Sequence, residues 1–275
     1  MSYRLGLPLK LLEKTSENTE KYYIVWYKKK PNGDLRELCK VKRPLRDIQK
    51  AIHRLLREVH LPESVHGGVK GKSHITNASV HCRKRSLLNL DLKKYFPSIS
   101  HHRVYGLFRN ELNCSPDVSR LLTKLCTVRG LVPQGSSTST DIANLVFRKT
   151  DYRLDGFAAK YGFGNSRYVD DISFSGGAIS RLRLNLIKSI VIDSGFKLND
   201  EKEAMTGRHE RQVVTGLLTK YKWPRVLREK KRQWRKDRHI FEKHEKTYNK
   251  ENRAKKMLQI DGRSNYLKTI ENAGM

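Results

Sequence analysis

Long apolar runs are missing from this 275-residue chain. No segment approaches the ~20 consecutive apolar residues a membrane-spanning helix requires, and neither a signal-peptide pattern nor an amphipathic anchor is evident. Acidic residues are scarce. The chain has 28 Asp and Glu against 57 Lys and Arg, a net charge of +29 and a pI near 10.1. Such an imbalance points to a polyanionic partner; without a membrane signal, that partner is expected to be nucleic acid. The four cysteines, Cys39, Cys82, Cys114 and Cys126, form no Cys-x-x-Cys pair and have no histidine at zinc-finger spacing. They read as reduced thiols of a cytoplasmic protein. His101-His102 reads as a solvated or nucleic-acid-facing pair rather than a metal site. The glycine-rich basic loop from Gly67 to Ser73 lacks the spacing of a Walker A loop. There is no tandem repeat or low-complexity linker, and 37% hydrophobic residues are compatible with a globular fold.

Against that background stands Tyr168-Val169-Asp170-Asp171. Its flanks, Ser166-Arg167-Tyr168-Val169 and Ile172-Ser173-Phe174-Ser175, carry β-branched and aromatic residues and predict a hairpin with the acidic pair at its turn. Side chains alternate along a strand, so the two carboxylates face the same way only across a bend. A third acid, Asp91, closes the apolar run Ser86–Leu92, which also predicts a strand. Carboxylates gathered this way suit hard divalent cations in nucleotidyl transfer. Taken alone, Asp-Asp reads as an ordinary acidic turn.

Other elements follow from pattern. Tyr22 to Tyr27 and Leu35 to Cys39 predict a hairpin closed by Asn32-Gly33. Apolar residues at Ile48, Ala51, Ile52, Leu55, Leu56 and Val59 predict a helix over 47–59. Helices are also expected over 103–128, 141–161, 179–194 and 226–258. Residues 217–275 hold 18 Lys and Arg against 7 Asp and Glu, interleaved with Trp234, Phe241 and Tyr248. This stretch reads either as a solvated basic helix or as one tracking phosphates, with aromatics packing it down or stacking on bases.

Several motifs together, in order from about Tyr22 to Gly216, resemble a bacterial retron-type reverse transcriptase. Leu90-Asp91-Leu92-Lys93-Lys94-Tyr95-Phe96 resembles the first catalytic block. The resemblance implies that Asp91 binds metal and that Phe96 clashes with a ribose 2′-OH, selecting deoxynucleotides. Val132-Pro133-Gln134-Gly135 resembles the second block, with Gln134 and Gly135 at the incoming nucleotide. Here Ser139-Thr140 stands where retron enzymes usually have Ser-Pro. Tyr168-Val169-Asp170-Asp171 resembles the third block, with Val169 where most retron enzymes have Ala. Gly195-Phe196-Lys197-Leu198 through Lys202 resembles the fourth, in which Lys202 aids pyrophosphate departure; read alone, Lys202 is a surface lysine. Lys30 and Arg36 match the hairpin cations that grip the triphosphate. Asn77-Ala78-Ser79-Val80-His81 and Val214-Thr215-Gly216 resemble two retron motifs associated with the enzyme's own RNA, which implies RNA contacts for Asn77, His81, Thr215 and Gly216. Without the resemblance, His81 reads as a packed core histidine and Thr215-Gly216 as a turn.

The resemblance implies an α+β right-hand polymerase fold: fingers over 1–88, an antiparallel-sheet palm over 89–216 with finger insertions, and a short basic helical thumb over 217–275. It implies RNA-directed DNA synthesis with two Mg²⁺ ions held by Asp91, Asp170 and Asp171. The partners implied are dNTPs, a cognate noncoding RNA, its DNA product and an effector protein in anti-phage defence. The oligomeric state stays open. Two alternatives also stay open: another stand-alone bacterial reverse transcriptase of intron or defence type, and a noncatalytic RNA-binding scaffold.

Overall fold

A computed structural model describes residues 2–29 and 33–273. Lys30, Pro31 and Asn32 of the expected Asn32-Gly33 turn lie outside the described residues. Helices α1 (Ser2–Leu5) and α2 (Leu9–Glu17) lead into the hairpin of β1 (Tyr23–Lys29) and β2 (Leu35–Val41). Its register runs from Tyr23 opposite Val41 to Lys29 opposite Leu35, which sets Lys28 across from Arg36. Tyr23, Cys39 and Val41 share one face and are buried, whereas Ile24 and Trp26 on the other face are exposed. Helix α3 (Leu45–Leu56) buries Ile48, Ala51, Ile52 and Leu56, the spacing of one helical face. It begins two residues before the expected start and ends three before the expected end. Helix α4 (His74–Ser79) starts at a capping box between Ser73 and Thr76.

The central sheet has the order β4-β5-β3-β6, with every pair antiparallel. Its strands are β3 (Ser86–Asp91), β4 (Gly164–Tyr168), β5 (Asp171–Gly176) and β6 (Ala204–Gly207). Strand β3 straddles the boundary expected at 88/89. Leu88 and Leu90 pair with Phe174 and Ile172, and all four belong to the main hydrophobic core. The alternate residues, Asn89, Asp91, Asp171 and Ser173, therefore share the opposite face. Helices α5 (His101–Gly106), α6 (Pro116–Cys126), α7 (Ser139–Tyr161) and α8 (Arg181–Asp193) complete the main core. That core runs continuously from Leu5 to Phe196, so the expected fingers and palm share one interior.

A second, smaller core joins Ala78 of α4, Leu87 of β3, Val214, Leu217, Val226 and Ile270. It contains the small sheet of β7 (Val213–Val214), β8 (Leu217–Leu218) and β9 (Arg225–Val226). The single helix expected over 226–258 is instead two: α9 (Arg228–His244) and α10 (Lys250–Asn272). The break falls where Asn249 caps α10, its side chain accepting from the Asn252 N–H at 2.9 Å. Phe241 is buried, with its ring centroid 5.7 Å from that of Tyr248.

His81 braces the sheet. It is fully buried, with one ring nitrogen 2.7 Å from the Ser166 hydroxyl and the other 2.7 Å from that of Ser175. Burial pushes its pKa down to about 3 and that of His66 down to about 4. In the unfolded chain both titrate near ~6.5. Below that pH the unfolded chain takes up protons that the folded rings refuse. Stability is therefore full above ~6.5 and lost progressively through the window down to 4 and then 3, by at most about 1.4 kcal/mol per pH unit for each ring. Urea unfolding followed from neutral pH to about pH 5 is expected to show this loss, with a shallower slope in His81→Asn. An unchanged slope would contradict the buried, neutral His81.

Candidate active site

The acidic residues converge because of register. Asp91 ends β3 and lies directly across from Asp171, the first residue of β5. Tyr168 pairs with Asp171, so Val169-Asp170 forms a two-residue turn. Positive φ occurs at its first position only, Val169 at +59°, the pattern of a type II′ turn. That position favours glycine; a β-branched residue there carries strain of about 1–3 kcal/mol. The bend brings Asp170 beside the Asp91–Asp171 pair. Two hydrogen bonds hold it: the Leu92 N–H donates to the Asp170 carbonyl at 2.9 Å, and the Arg167 guanidinium donates to the Val169 carbonyl at 2.8 Å.

Crowding of like charges marks the site. Burial, then the charges of Asp170 and Asp91, pushes Asp171 up to about 6. Burial, reinforced by Asp91, also raises Asp170, while Lys202 and Arg36 pull the other way. Lys202 donates to both oxygens of Asp91, at 2.9 and 2.6 Å. Burial disfavours its ammonium, but the bonds to Asp91 and the three nearby negative charges outweigh that and raise its pKa. Among the described residues, no three His, Cys, Asp or Glu side chains form a ready-made metal cage. Lys202 supplies a positive charge at Asp91. The donors themselves are hard carboxylate oxygens, two of them adjacent and charge-strained, which is the set that divalent Mg²⁺ takes.

The residues expected around a nucleotide are only partly gathered. Lys30 lies outside the described residues. Arg36 is exposed on β2 and near enough for its charge to act on Asp170. Phe96 is partly buried, with its ring centroid 5.7 Å from that of Tyr95, whose hydroxyl donates to the Ala143 carbonyl at 2.7 Å. The Gln134 carbonyl accepts from the Cys39 N–H at 2.8 Å. Gly135 has φ +114°, and a Cβ there would stand 2.2 Å from the Cys39 carbonyl oxygen. Its close approach here is to the β2 backbone. This loop keys the hairpin onto the sheet domain.

The two RNA-motif assignments separate. Asn77 and His81 are 1% and 0% exposed. A contact between their side chains and RNA is closed off in this conformation, because α4 is packed between the central sheet and the second core. Thr215 and Gly216, by contrast, line a cleft of about 540 Å³ with His74, Asn89, Tyr168, Asp171 and Ser173. Both adopt positive φ, and the Thr215 hydroxyl donates to the His74 carbonyl at 2.9 Å. His74 in turn stacks on Tyr266 of α10, with its Nε2 2.8 Å from the phenol oxygen.

The sequence reading missed His74, Asn89, Ser173 and Arg167. Two of these were signalled. Asn89 interrupts an apolar run two residues before Asp91, so strand alternation already set them on one face. Ser173 stands two residues after Asp171 for the same reason.

The family described as "Reverse transcriptase (RNA-dependent DNA polymerase)" matches residues 27–217. Retron Se72 reverse transcriptase of Salmonella heidelberg is 34% identical over 232 residues, which are 79% of this chain and 61% of that protein. Retron Ec86 reverse transcriptase of Escherichia coli is 32% identical over 237 residues, 85% of this chain and 73% of that protein. The chain thus spans less than two thirds of the Salmonella relative. Among solved structures, telomerase from Candida albicans with a telomeric RNA fragment matches with a TM-score of 0.51 at 13% identity, over 74% of this chain and 46% of that one. Apo telomerase from Candida tropicalis matches at 0.52 and 11% identity, over 71% and 46%. These likenesses establish the right-hand polymerase fold.

The raised pKa of Asp171 fixes the sign of a stability effect. Its folded value lies above that of the unfolded chain, ~3.9, so stability falls as pH rises from there to about 6 and stays lowered above it. In thermal melts with a chelator near neutral pH, Asp171→Asn is expected to raise the melting temperature by about 2 °C. The gain should vanish toward pH 4. A lowered melting temperature would contradict the charge crowding.

Proposed function

Since the chain belongs to the reverse transcriptase family, in its retron branch, we propose that it is an RNA-directed DNA polymerase copying a cognate structured noncoding RNA into short single-stranded DNA. The observation that carries this reading is the register of β3 and β5, which sets Asp91 against Asp171 with Asp170 at the adjoining turn. Asp171 lines a cleft bordered by Thr215 and Gly216. The noncatalytic scaffold accounts poorly for this arrangement, because carboxylates gathered on a nucleic-acid face weaken binding unless they serve chemistry.

The family generally uses divalent metal ions. We assign two Mg²⁺ ions to Asp91, Asp170 and Asp171; when bound, they supply a lowered pKa at the primer hydroxyl and neutralise charge on the triphosphate. Lys202 holds a proton and a positive charge at Asp91, from which it would meet the leaving pyrophosphate. Arg36, with Lys30, draws the triphosphate toward the acidic turn. Phe96 stands as the wall that rejects a 2′-hydroxyl. Gln134 and Gly135 act at one remove, holding the fingers hairpin in register with the palm. The basic helices α9 and α10 track RNA phosphates, and a helical RNA or hybrid is held through backbone and shape.

Fingers, palm and thumb are assigned to 1–88, 89–216 and 217–275, with β3 crossing the first limit and the β7-β8-β9 sheet crossing the second. The free thiols of all four cysteines suit the cytoplasm, and no described helix is long and apolar enough to cross a membrane. An effector protein and a role in anti-phage defence remain part of the proposal through the retron relatives.

Purification from cells carrying the chain with its flanking DNA tests the reading. A discrete RNA-linked DNA, sensitive to both RNase and DNase and lost in Asp170→Asn/Asp171→Asn, is the expected product. RNA alone, unchanged in that variant, would favour the scaffold, and long DNA without an RNA branch would favour another reverse-transcriptase class. In primer extension, Phe96→Val is expected to raise ribonucleotide use relative to dNTP use by at least about tenfold, a change of ~1.4 kcal/mol in discrimination. Unchanged discrimination would remove Phe96 from the sugar filter.

A further inference from the structure

Arg167 is a fully buried arginine one residue before the tyrosine of the acidic turn, and four of its five N–H groups are committed. Nε and Nη2 donate to the two oxygens of Asp151 at 2.7 and 2.6 Å. Nη1 donates to the Asn144 side-chain oxygen at 2.9 Å and to the Val169 carbonyl at 2.8 Å. The guanidinium lies 4.8 Å from the centroid of the Phe147 ring. Asp151, Asn144 and Phe147 all come from α7, so one helix fixes the arginine from three positions.

The backbone of Arg167 adds a second grip. Its N–H donates to the Ser64 carbonyl and its carbonyl accepts from the His66 N–H, both at 2.8 Å, pairing the 64–67 segment along β4. This brings Gly67 directly against the turn: a Cβ on Gly67 would stand 2.3 Å from the Val169 nitrogen. Asn144, already bonded to Arg167, also donates to the Gly67 carbonyl at 2.8 Å. The glycine-rich basic loop from Gly67 to Ser73 thus contributes its first glycine as a support for the acidic turn.

We infer that Arg167, Asp151, Asn144 and Gly67 form a lock that holds the strained Val169-Asp170 peptide in its catalytic orientation, with Arg167 as a positioning residue. A buried ion pair is weak evidence of stability, since apolar replacements of similar volume are often neutral or stabilising. What such replacements cannot supply is the spare N–H that holds the Val169 carbonyl. Lysine cannot supply it either, because a point charge does not serve Asp151, Asn144 and Val169 together. A left-handed valine persists only where its surroundings over-determine it. Release of its carbonyl frees the turn to relax and carries Asp170 away from Asp91 and Asp171.

The kinetic half of this inference rests on the proposed polymerase activity; the conformational half does not. The test compares the full chain with Arg167→Lys, Gly67→Ala and the double variant Arg167→Met/Asp151→Leu. Amide hydrogen exchange is read alongside steady-state dNTP incorporation. The double variant removes both buried charges, and Gly67→Ala removes none, so a folding defect in one leaves the other to decide. The lock predicts faster exchange confined to the turn and its flanking strands, kcat lower by about 100-fold and a dNTP KM within about threefold of wild type. Arg167→Lys should behave like the double variant despite keeping its charge. Unchanged exchange and kcat in the double variant and Gly67→Ala would overturn the lock. Faster exchange with wild-type kcat would overturn the positioning role, and exchange raised throughout the fold, or full rescue by lysine, would reduce Arg167 to a structural charge. An inactive wild-type chain in which exchange still rises at the turn alone would sink the polymerase reading and leave the lock standing.

Discussion

One register governs the molecule: Asp91 of β3 lies across from Asp171 of β5. Strand side chains alternate, so a slip of either strand by one residue would send its carboxylate into the apolar core and bring Leu90 or Ile172 out. Burial of Leu88, Leu90, Ile172 and Phe174 against the helices excludes that slip. Hydrophobic packing on one face of the sheet thereby places acidic groups on the other. Their mutual repulsion, visible in the raised Asp171, is sustained because the core holds the strands, and Lys202 partly offsets it at Asp91.

From that sheet the remaining parts take their places. The 134–135 loop meets the β2 backbone so closely that only glycine fits, which ties the β1–β2 hairpin to the segment leading into α7. Helix α4 packs one end on the sheet through His81 and the other on the second core, where Tyr266 of α10 meets His74. The basic helix α10 thus touches His74, a residue bordering the same cleft as Asp171. The two motifs linked to RNA handling in the family divide the labour: Asn77 and His81 build the joint, whereas Thr215 and Gly216 stand at the cleft.

Much of this was legible in residue order because strand alternation and turn chemistry are local. The three acids, a hairpin at the acidic motif and the helix around Ile48–Leu56 follow from patterns within about a dozen residues, although the turn falls at Val169-Asp170, one residue before the expected Asp170-Asp171. What was not legible depends on distant backbone. The support of the acidic turn by Gly67 spans about a hundred residues, and nothing near Gly67 announces it. Burial of Asn77 and His81 needed the second core, assembled from segments as far apart as Ala78 and Ile270. The thumb was read as one helix because its basic and aromatic spacing runs on through the break, while the signal for a new helix was a single cap, Asn249. Lys202 was expected at the departing pyrophosphate; its bonds to Asp91 arise from a loop whose approach to β3 no local pattern predicts.

The most direct test of the carboxylate centre is to load the chain with Fe²⁺ in place of Mg²⁺, generate hydroxyl radicals with ascorbate and map where the backbone is cut. Cleavage clustered around Asp91 and Asp170-Asp171, and lost in Asp170→Asn/Asp171→Asn, is the predicted result. Cuts elsewhere, or cuts that persist in that variant, would contradict a metal-dependent centre built on the register of β3 and β5.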